Sequence, residues 1–174
     1  MKPIVFCICA AYILTGCATV QKPPENMQIR VIAVSETVNL YYIWATFWDS
    51  KDNKNIKAKL DISYRNENDN PVICNISFYN TLKMPETVSD IILTGKSGDY
   101  PVNDISVLFH EPKYNEIRIT SKMPIDALME LFANDVFSLN ANVDGITCRY
   151  VPSGEFYSYR DQFVKAIGGQ LYGN

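Results

Sequence analysis

In Ile56-Lys57-Ala58-Lys59-Leu60-Asp61-Ile62-Ser63-Tyr64, apolar and polar residues alternate along the chain. A period of two predicts a β-strand with one buried side and one solvent-facing side. The alternation returns over residues 72–78, after a polar loop at residues 65–70. Two alternating runs joined by a short polar loop predict an antiparallel hairpin. The interpretation of the fold therefore starts from a half-buried antiparallel sheet.

Further strands are predicted on both sides of this hairpin. They are expected at Gln28–Val34, Leu40–Trp48, Ile91–Thr94, Ile105–Phe109 and Glu116–Thr120. Nearer the C-terminus, Asp144-Gly145 separates two more alternating runs, and this dipeptide suits the positive φ angles of a type I′ turn. The sequence therefore predicts a second hairpin with its turn at Asp144.

Two segments near the C-terminus have a helical period instead. The first lies over residues 124–132 and begins with proline, which suits the first turn of a helix. The second follows Ser153, a candidate cap, and is expected to stop at Gly168-Gly169. The residues that share a face are Ile125, Leu128, Met129 and Phe132 in the first helix, and Phe156, Tyr159, Arg160, Phe163 and Ile167 in the second.

These elements predict an α+β fold, consisting mainly of an antiparallel sheet with two helices toward the C-terminus packed on one side. Residues 27–174 have a typical length for one domain, so a single α+β domain is expected. Residues 18–26 are polar and contain two prolines, which indicates a short flexible tether.

The N-terminus has the layout expected of a targeting signal. Lys2 is followed by an apolar run that ends in Leu14-Thr15-Gly16-Cys17. This arrangement resembles the signal peptide and lipobox of bacterial lipoproteins. The resemblance implies that residues 1–16 are a signal peptide that is removed, and that residues 17–26 are the lipidated N-terminus and tether. Cys17 is then the lipidation site, attaching the protein to a membrane.

The same resemblance implies a location in the bacterial cell envelope. Ala18 follows the cysteine where an Asp would signal retention, which in enteric-type bacteria implies the outer membrane, facing the periplasm. Two other interpretations remain open. One is a retained membrane-spanning helix, although the apolar run is shorter than the roughly 20 residues that such a helix needs. The other is a plain secretory signal, which would leave Cys17 without a role.

The charge of the chain is mildly acidic. The full sequence has a net charge of −3, and removal of residues 1–16 takes away only Lys2, giving −4. This balance argues against nucleic acid as a partner. The chain also lacks a phosphate-binding glycine loop, a dinucleotide-binding motif and zinc-ligand spacing, so no cofactor and no metal are expected.

Two cysteines remain beside Cys17 in the mature chain. Cys74 and Cys148 both lie at apolar positions of predicted strands. An exported compartment permits a disulfide between them, which would stabilise the fold by roughly 4 kcal/mol. Two separate buried thiols are the alternative, because a disulfide requires the two α-carbons to lie within about 7 Å.

Few residues of this sequence suggest catalysis. His110 is the only histidine, and no nucleophile motif accompanies it, so a structural role is favoured. Carboxylates such as Asp49, Glu67, Asp69 and Glu111 are available for glycoside cleavage, but surface loops commonly contain such groups. No catalytic residue is therefore predicted, and the protein is predicted not to be an enzyme.

An aromatic segment is the best local candidate for a partner surface. Strict alternation would place Tyr42, Trp44 and Trp48 on one face of their strand, and Tyr41, Ile43 and Phe47 on the other. Tyr and Trp are enriched in protein interfaces, so Tyr42, Trp44 and Trp48 form the predicted surface. This surface is a candidate only, since a central strand buried on both faces is the favoured interpretation.

The leading functional prediction is a membrane-anchored envelope lipoprotein with a non-enzymatic binding or structural domain and an envelope protein as partner. The first alternative is an inhibitor or immunity lipoprotein that neutralises a toxin or lytic enzyme. A hydrolase acting on the cell wall with carboxylates as acid and base is a weaker alternative.

Overall fold

A computed structural model of the chain describes residues 29–67, 70–133 and 137–171. The predicted signal peptide, the tether and Cys17 lie outside the described residues. The elements are β1 (Ile29–Ala33), β2 (Asn39–Ser50), β3 (Ile56–Arg65), β4 (Val72–Asn80), β5 (Val88–Gly95), β6 (Gly98–Pro101), β7 (Ser106–Glu111), β8 (Glu116–Met123), α1 (Ile125–Phe132), β9 (Phe137–Val143), β10 (Ile146–Pro152) and α2 (Gly154–Leu171). A short 3-10 turn at Pro112–Tyr114 connects β7 to β8.

The ten strands form one antiparallel sheet, in which nine follow the order β6-β5-β9-β10-β2-β3-β4-β8-β7 and β1 pairs with β2 outside this path. The long strand β2 has two neighbours besides β3, because β1 pairs with its residues 39–43 and β10 pairs with its residues 48–50. The α+β fold predicted from the sequence is confirmed, as is the hairpin, in which β3 pairs with β4.

The sheet is strongly curved. Leu93 of β5 and Met123 of β8 line the same small cavity, although five strands separate β5 from β8 in the sheet. The connection between β6 and β7 lies beside this cavity, where the Ser121 hydroxyl donates to the Asn103 carbonyl at 2.6 Å. The curvature therefore gives the sheet an inner face, which encloses the core, and an outer face.

Both helices pack against the inner face. Phe156, Arg160, Phe163 and Ile167 of α2 are buried there, as the helical period predicts. The centre of the core is aromatic: the Phe156 ring lies 4.9 Å from Trp48 and 5.7 Å from Phe137, measured between centroids. Because each buried aromatic ring removes a large apolar area from water, this cluster contributes strongly to stability.

Two predicted turns have different outcomes. Asp144 and Gly145 have φ angles of 51° and 81°, so the predicted hairpin turn is confirmed. The predicted helix stop at Gly168-Gly169 is wrong, because α2 continues through both glycines to Leu171. A glycine stop requires a left-handed residue, and neither glycine has a positive φ.

Candidate functional site

A β-bulge in β2 decides which aromatic residues reach the surface. Ile43 pairs with Ile62 and Thr46 pairs with Leu60, so Trp44 and the residue after it both lie opposite Asp61. The extra residue shifts every later position of β2 to the other face relative to strict alternation. The predicted assignment of faces therefore fails beyond Trp44.

The bulge places Trp48 in the core, so its prediction as part of a partner surface is wrong. Trp48 is 0% exposed, and its indole N–H donates to the Thr46 hydroxyl at 3.1 Å. Phe47, predicted for the opposite face, takes the outward position and is 52% exposed. Trp44 is 46% exposed, and its ring lies 5.1 Å from that of Tyr42 in an edge-to-face arrangement.

These aromatic residues belong to the outer face, which we define as the side of β2, β3, β4, β8 and β7 turned away from the helices. The cross-strand register orders its side chains into rows. One row consists of Phe47, Lys59, Ser77, Arg118 and Phe109. The next row contains Asp61, Asn75, Thr120 and Ser106. Among the described residues, no helix covers this face.

An ion pair lies at the centre of the outer face. The Arg118 guanidinium forms a short contact with the Asp61 carboxylate through Nη2, and its Nη1 donates to the Ser77 hydroxyl at 2.9 Å. The Asn75 amide donates to the other Asp61 oxygen at 2.8 Å. Asp61 is only 1% exposed, so its charge depends on these partners, since an unpaired buried charge is strongly unfavourable.

Two tyrosines border the ion pair. Partial burial and the nearby Asp61 carboxylate raise the pKa of Tyr42. Burial and a hydrogen bond with Glu116 raise the pKa of Tyr79 to about 12. Both phenols therefore stay protonated at physiological pH and remain neutral hydrogen-bonding groups. Proton transfer by either tyrosine near neutral pH is unfavourable.

A second bulge flanks the ion pair on its other side. Val107 of β7 pairs with Ile119 and Phe109 pairs with Arg118, so Leu108 is the extra residue of this strand. In such a bulge, two residues oppose one residue of the neighbouring strand. Leu108 and Phe109 thus lie opposite Arg118, while Trp44 lies opposite Asp61. The charged centre is therefore bordered by apolar side chains on both sides.

A lysine packs against two of the rings that surround the ion pair, Tyr42, Trp44, Phe47 and Tyr79, which we call the aromatic border. The Lys59 ammonium lies 4.0 Å from the Phe47 ring centroid and 5.2 Å from that of Tyr79. The two rings are 5.9 Å apart. These distances are typical of cation–π interactions, which hold long side chains in place at a surface. The border of the outer face therefore combines exposed rings with a cation–π contact.

The candidate catalytic carboxylates do not converge. Asp49 and Glu111 lie at the two ends of one cross-strand row, on strands four positions apart in the sheet. Four steps of about 4.8 Å separate them by roughly 19 Å along the sheet, whereas paired glycosidase carboxylates lie about 5–9.5 Å apart. Glu67 accepts from Arg65 and Asn70 instead. Asp69 lies outside the described residues.

The other sequence candidates are separate from the outer face or exposed at its edge. His110 is exposed on β7. Cys74 and Cys148 are free and buried, so the candidate disulfide is not formed. Burial raises the pKa of the Cys74 thiol to about 12, and its sulfur lies 3.5 Å from that of Met123. Within the described ranges, no group of three or more His, Cys, Asp or Glu residues is placed to hold a metal ion.

Sequence reasoning missed the ion pair itself. Asp61 occupies a polar position of an alternating strand, which predicts a solvated carboxylate, and Arg118 follows 57 positions later. The local pattern contains no signal that joins them.

Comparison of the chain with models of known protein families, with curated proteins and with solved structures found no match. In the part of the chain that the structure describes, neither helix is long and apolar enough to cross a membrane.

Proposed function

We propose that this protein is a lipid-anchored lipoprotein of the bacterial cell envelope whose domain is a non-enzymatic binding module, with the outer face as its binding surface. The anchor is Cys17, the last residue of the lipobox-like sequence Leu14-Thr15-Gly16-Cys17. Acyl chains on that residue would hold the domain at the membrane, and more than one chain is needed for lasting attachment. The outer membrane, facing the periplasm, is the proposed location.

The observation that supports the binding surface most directly is the combination of exposed aromatic rings with a fixed charged centre. Trp44 and Phe47 are half-exposed beside a buried ion pair whose partners are all supplied by the domain. Interfaces use aromatic and arginine side chains in this way, because rigid rings bury large areas at a small entropic cost. The outer side of a curved sheet suits another protein better than a small molecule, which usually binds in a concave site.

The chemistry of the outer face also supports a non-enzymatic role. Both oxygens of the Asp61 carboxylate are already engaged, one by the Arg118 guanidinium and the other by the Asn75 amide. Tyr42 and Tyr79 have raised pKa values. General acid–base catalysis instead favours groups whose pKa lies near the working pH. Recognition by contact is therefore the proposed activity.

The test is site-specific photo-crosslinking in living cells, using the native anchored protein. A photoreactive residue is introduced at Phe47 on the outer face, and a matched control carries it at Ile146, a position of similar exposure at the β9–β10 hairpin. We expect Phe47 to capture one envelope protein that Ile146 does not capture. The complex should then form between the purified proteins and be weakened by Trp44→Ala.

Three other outcomes would contradict parts of the proposal. Equal products from Phe47 and Ile146 would remove the outer face as the binding surface. Continued membrane association of Cys17→Ser would remove the lipid anchor. Degradation of cell-wall material by the purified protein would contradict a non-enzymatic role. If the captured protein is a toxin or lytic enzyme that loses activity in the complex, the inhibitor alternative replaces the structural one.

A further inference from the structure

The charges of the outer face are unevenly distributed along its strands. At one end, a cross-strand row contains three carboxylates and one ammonium group, those of Asp49, Lys57, Glu116 and Glu111. At the other end, two neighbouring rows continue onto β1 and contain three cations and no carboxylate. These rows are Arg30, Tyr42, Ser63, Ile73 and Lys122, followed by Ile32, Leu40 and Arg65. The face is therefore acidic at one end and basic at the other.

An open groove lies at the basic end, and its volume is about 310 Å³. The register of β2, β3, β4 and β8 brings its lining residues side by side. They supply two cations, two polar groups and an apolar surface, which come respectively from Arg65 and Lys122, Ser63 and Asn70, and Leu40 and Ile73. The groove can therefore hold a ligand that combines negative charge with aliphatic groups.

The two cations of the groove differ in their partners. Lys122 is exposed and forms no ion pair with any residue in the described part of the chain. The Arg65 Nη1 lies 3.4 Å from the Glu67 Oε2, and both side chains are largely exposed. Exposed ion pairs contribute little to stability, so an incoming carboxylate can replace Glu67 at Arg65. Glu67 thus acts as an internal competitor for the groove.

We propose that this groove receives an acidic segment of the partner protein, with one Asp or Glu carboxylate bound between Arg65 and Lys122. The inference rests on the proposed function, in which the outer face binds another protein, and it states the charge which that protein presents here. Opposite charges across an interface fix the orientation of the two proteins and speed their association. The partner's acidic side is therefore expected over the groove, and its basic side over the row of Asp49, Glu116 and Glu111.

A carboxylate suits this groove better than a phosphate group. Proteins commonly bind phosphate with backbone N–H groups of glycine-rich loops or helix N-termini, whereas no glycine lines the groove. Its only arginine already contacts a carboxylate, that of Glu67. A second cavity of about 350 Å³ adjoins the groove, because Asn70, Pro71 and Lys122 line both, and Asp126 lines the second one. A bound segment is therefore expected to be acidic in the groove and uncharged beyond Lys122.

A defined probe tests the groove before any partner is identified. Fluorescein-labelled hexaglutamate is added to the protein purified from membranes in a neutral detergent, and fluorescence anisotropy measures its binding. Combined Arg65→Gln and Lys122→Gln changes should weaken this binding about tenfold, since each removes one ion pair. The matched control combines Lys51→Gln with Lys54→Gln in the exposed connection between β2 and β3, and should change the affinity less than about twofold. Thermal unfolding checks that both variants remain folded.

A change at Glu67 should have the opposite sign. Glu67→Gln removes the carboxylate that occupies Arg65, so it should strengthen the binding of hexaglutamate about threefold or more. Glu86→Gln removes the same charge from the exposed connection between β4 and β5 and should leave the affinity nearly unchanged. Equal effects of the two variants would show that only the net charge matters, and would overturn the site.

Competition identifies the chemistry of the ligand. Unlabelled hexaglutamate should displace the probe, whereas inorganic phosphate and vesicles of phosphatidylglycerol should displace it only at much higher concentrations of charge. Stronger displacement by phosphate or by the vesicles would assign the groove to phosphate groups and overturn the proposal. Absent binding of hexaglutamate, or equal losses in the two double variants, would overturn it as well.

Photo-crosslinking in cells separates this inference from the proposed function. With the photoreactive residue at Phe47, Lys122→Glu should reduce capture of the partner, whereas Lys54→Glu should not. Undiminished capture with Lys122→Glu would overturn the acidic segment and leave the outer face as a binding surface. If Phe47 captures nothing while hexaglutamate binding depends on Arg65 and Lys122, the groove is an anion site, and its assignment to a protein partner is wrong.

Discussion

The two tryptophans of this protein lie four positions apart on β2 but have opposite environments. Trp48 is fully buried and contacts the rings of Phe137 and Phe156 on the inner face. Trp44 is half-exposed on the outer face, next to Tyr42. One extra residue between Ile43 and Thr46 produces this difference. The comparison shows that a single bulge separates a buried aromatic residue of the core from an exposed one on the outer face.

The largest effect is expected from Trp48→Ala. This change removes the largest fully buried side chain from the aromatic core and leaves a cavity beside Phe156. We expect a loss of about 3–5 kcal/mol in the free energy of unfolding, as for other buried aromatic residues. Urea unfolding followed by circular dichroism measures it. A loss below about 1 kcal/mol would mean that Trp48 is not in the core.

A second prediction concerns the charged centre of the outer face. Asp61→Asn keeps the shape of the side chain but removes the charge that pairs with Arg118. We expect a loss of about 3 kcal/mol, the lower end of the range for breaking a buried pair, because the Arg118 side chain is 19% exposed. Equilibrium unfolding measures this loss, and Asp49→Asn, which breaks an exposed pair with Lys57, is the matched control.

The control should lose less than about 1 kcal/mol, since exposed ion pairs contribute little. Equal losses for the two variants would show that burial does not strengthen the Asp61–Arg118 pair. A selective loss at Asp61 would show that the outer face contains a structural centre beneath its exposed border. The inner and outer faces would then differ in the kind of interaction that stabilises them.

A smaller effect on the free energy of unfolding is expected from the two buried thiols, Cys74 and Cys148. Because Cys74 and Cys148 are free, adding a reductant should leave the free energy of unfolding unchanged, whereas breaking a disulfide between them would cost roughly 4 kcal/mol. Cys74→Ala should cost about 1–2 kcal/mol through the lost contact with Met123. Unfolding with and without reductant checks both statements, and a reductant-dependent loss would contradict the free thiols.

The sequence predicts the regular parts of this fold well, because they depend on local periodicity. The β3–β4 hairpin, the Asp144-Gly145 turn and the buried face of α2 all follow from the spacing of apolar residues or from turn chemistry. Two features that shape the candidate site, the bulge in β2 and the ion pair between Asp61 and Arg118, cannot be predicted in this way. A bulge inserts one residue without a distinctive residue type.

The pairing of Asp61 with Arg118 escapes it for a different reason. It depends on β4 lying between β3 and β8, which is a property of the topology and not of either strand. Asp61 alone has the pattern of a solvated residue, and only Asn75, Ser77 and Arg118 together make its burial favourable. Long-range polar networks of this kind require the three-dimensional arrangement.

The smallest effect on stability is expected from Trp44→Ala, and it is the sharpest test of the comparison. Trp44 is 46% exposed on a face without a covering helix in the described residues, so its removal should change the free energy of unfolding by no more than about 0.5–1 kcal/mol. The chain has two tryptophans, so this variant also isolates the fluorescence of Trp48. Its emission should be blue-shifted and protected from acrylamide, whereas Trp48→Phe should leave a red-shifted, quenchable Trp44. If both single-tryptophan variants are equally protected, the outer face is covered in solution, and the aromatic border belongs to a second core instead of a binding surface.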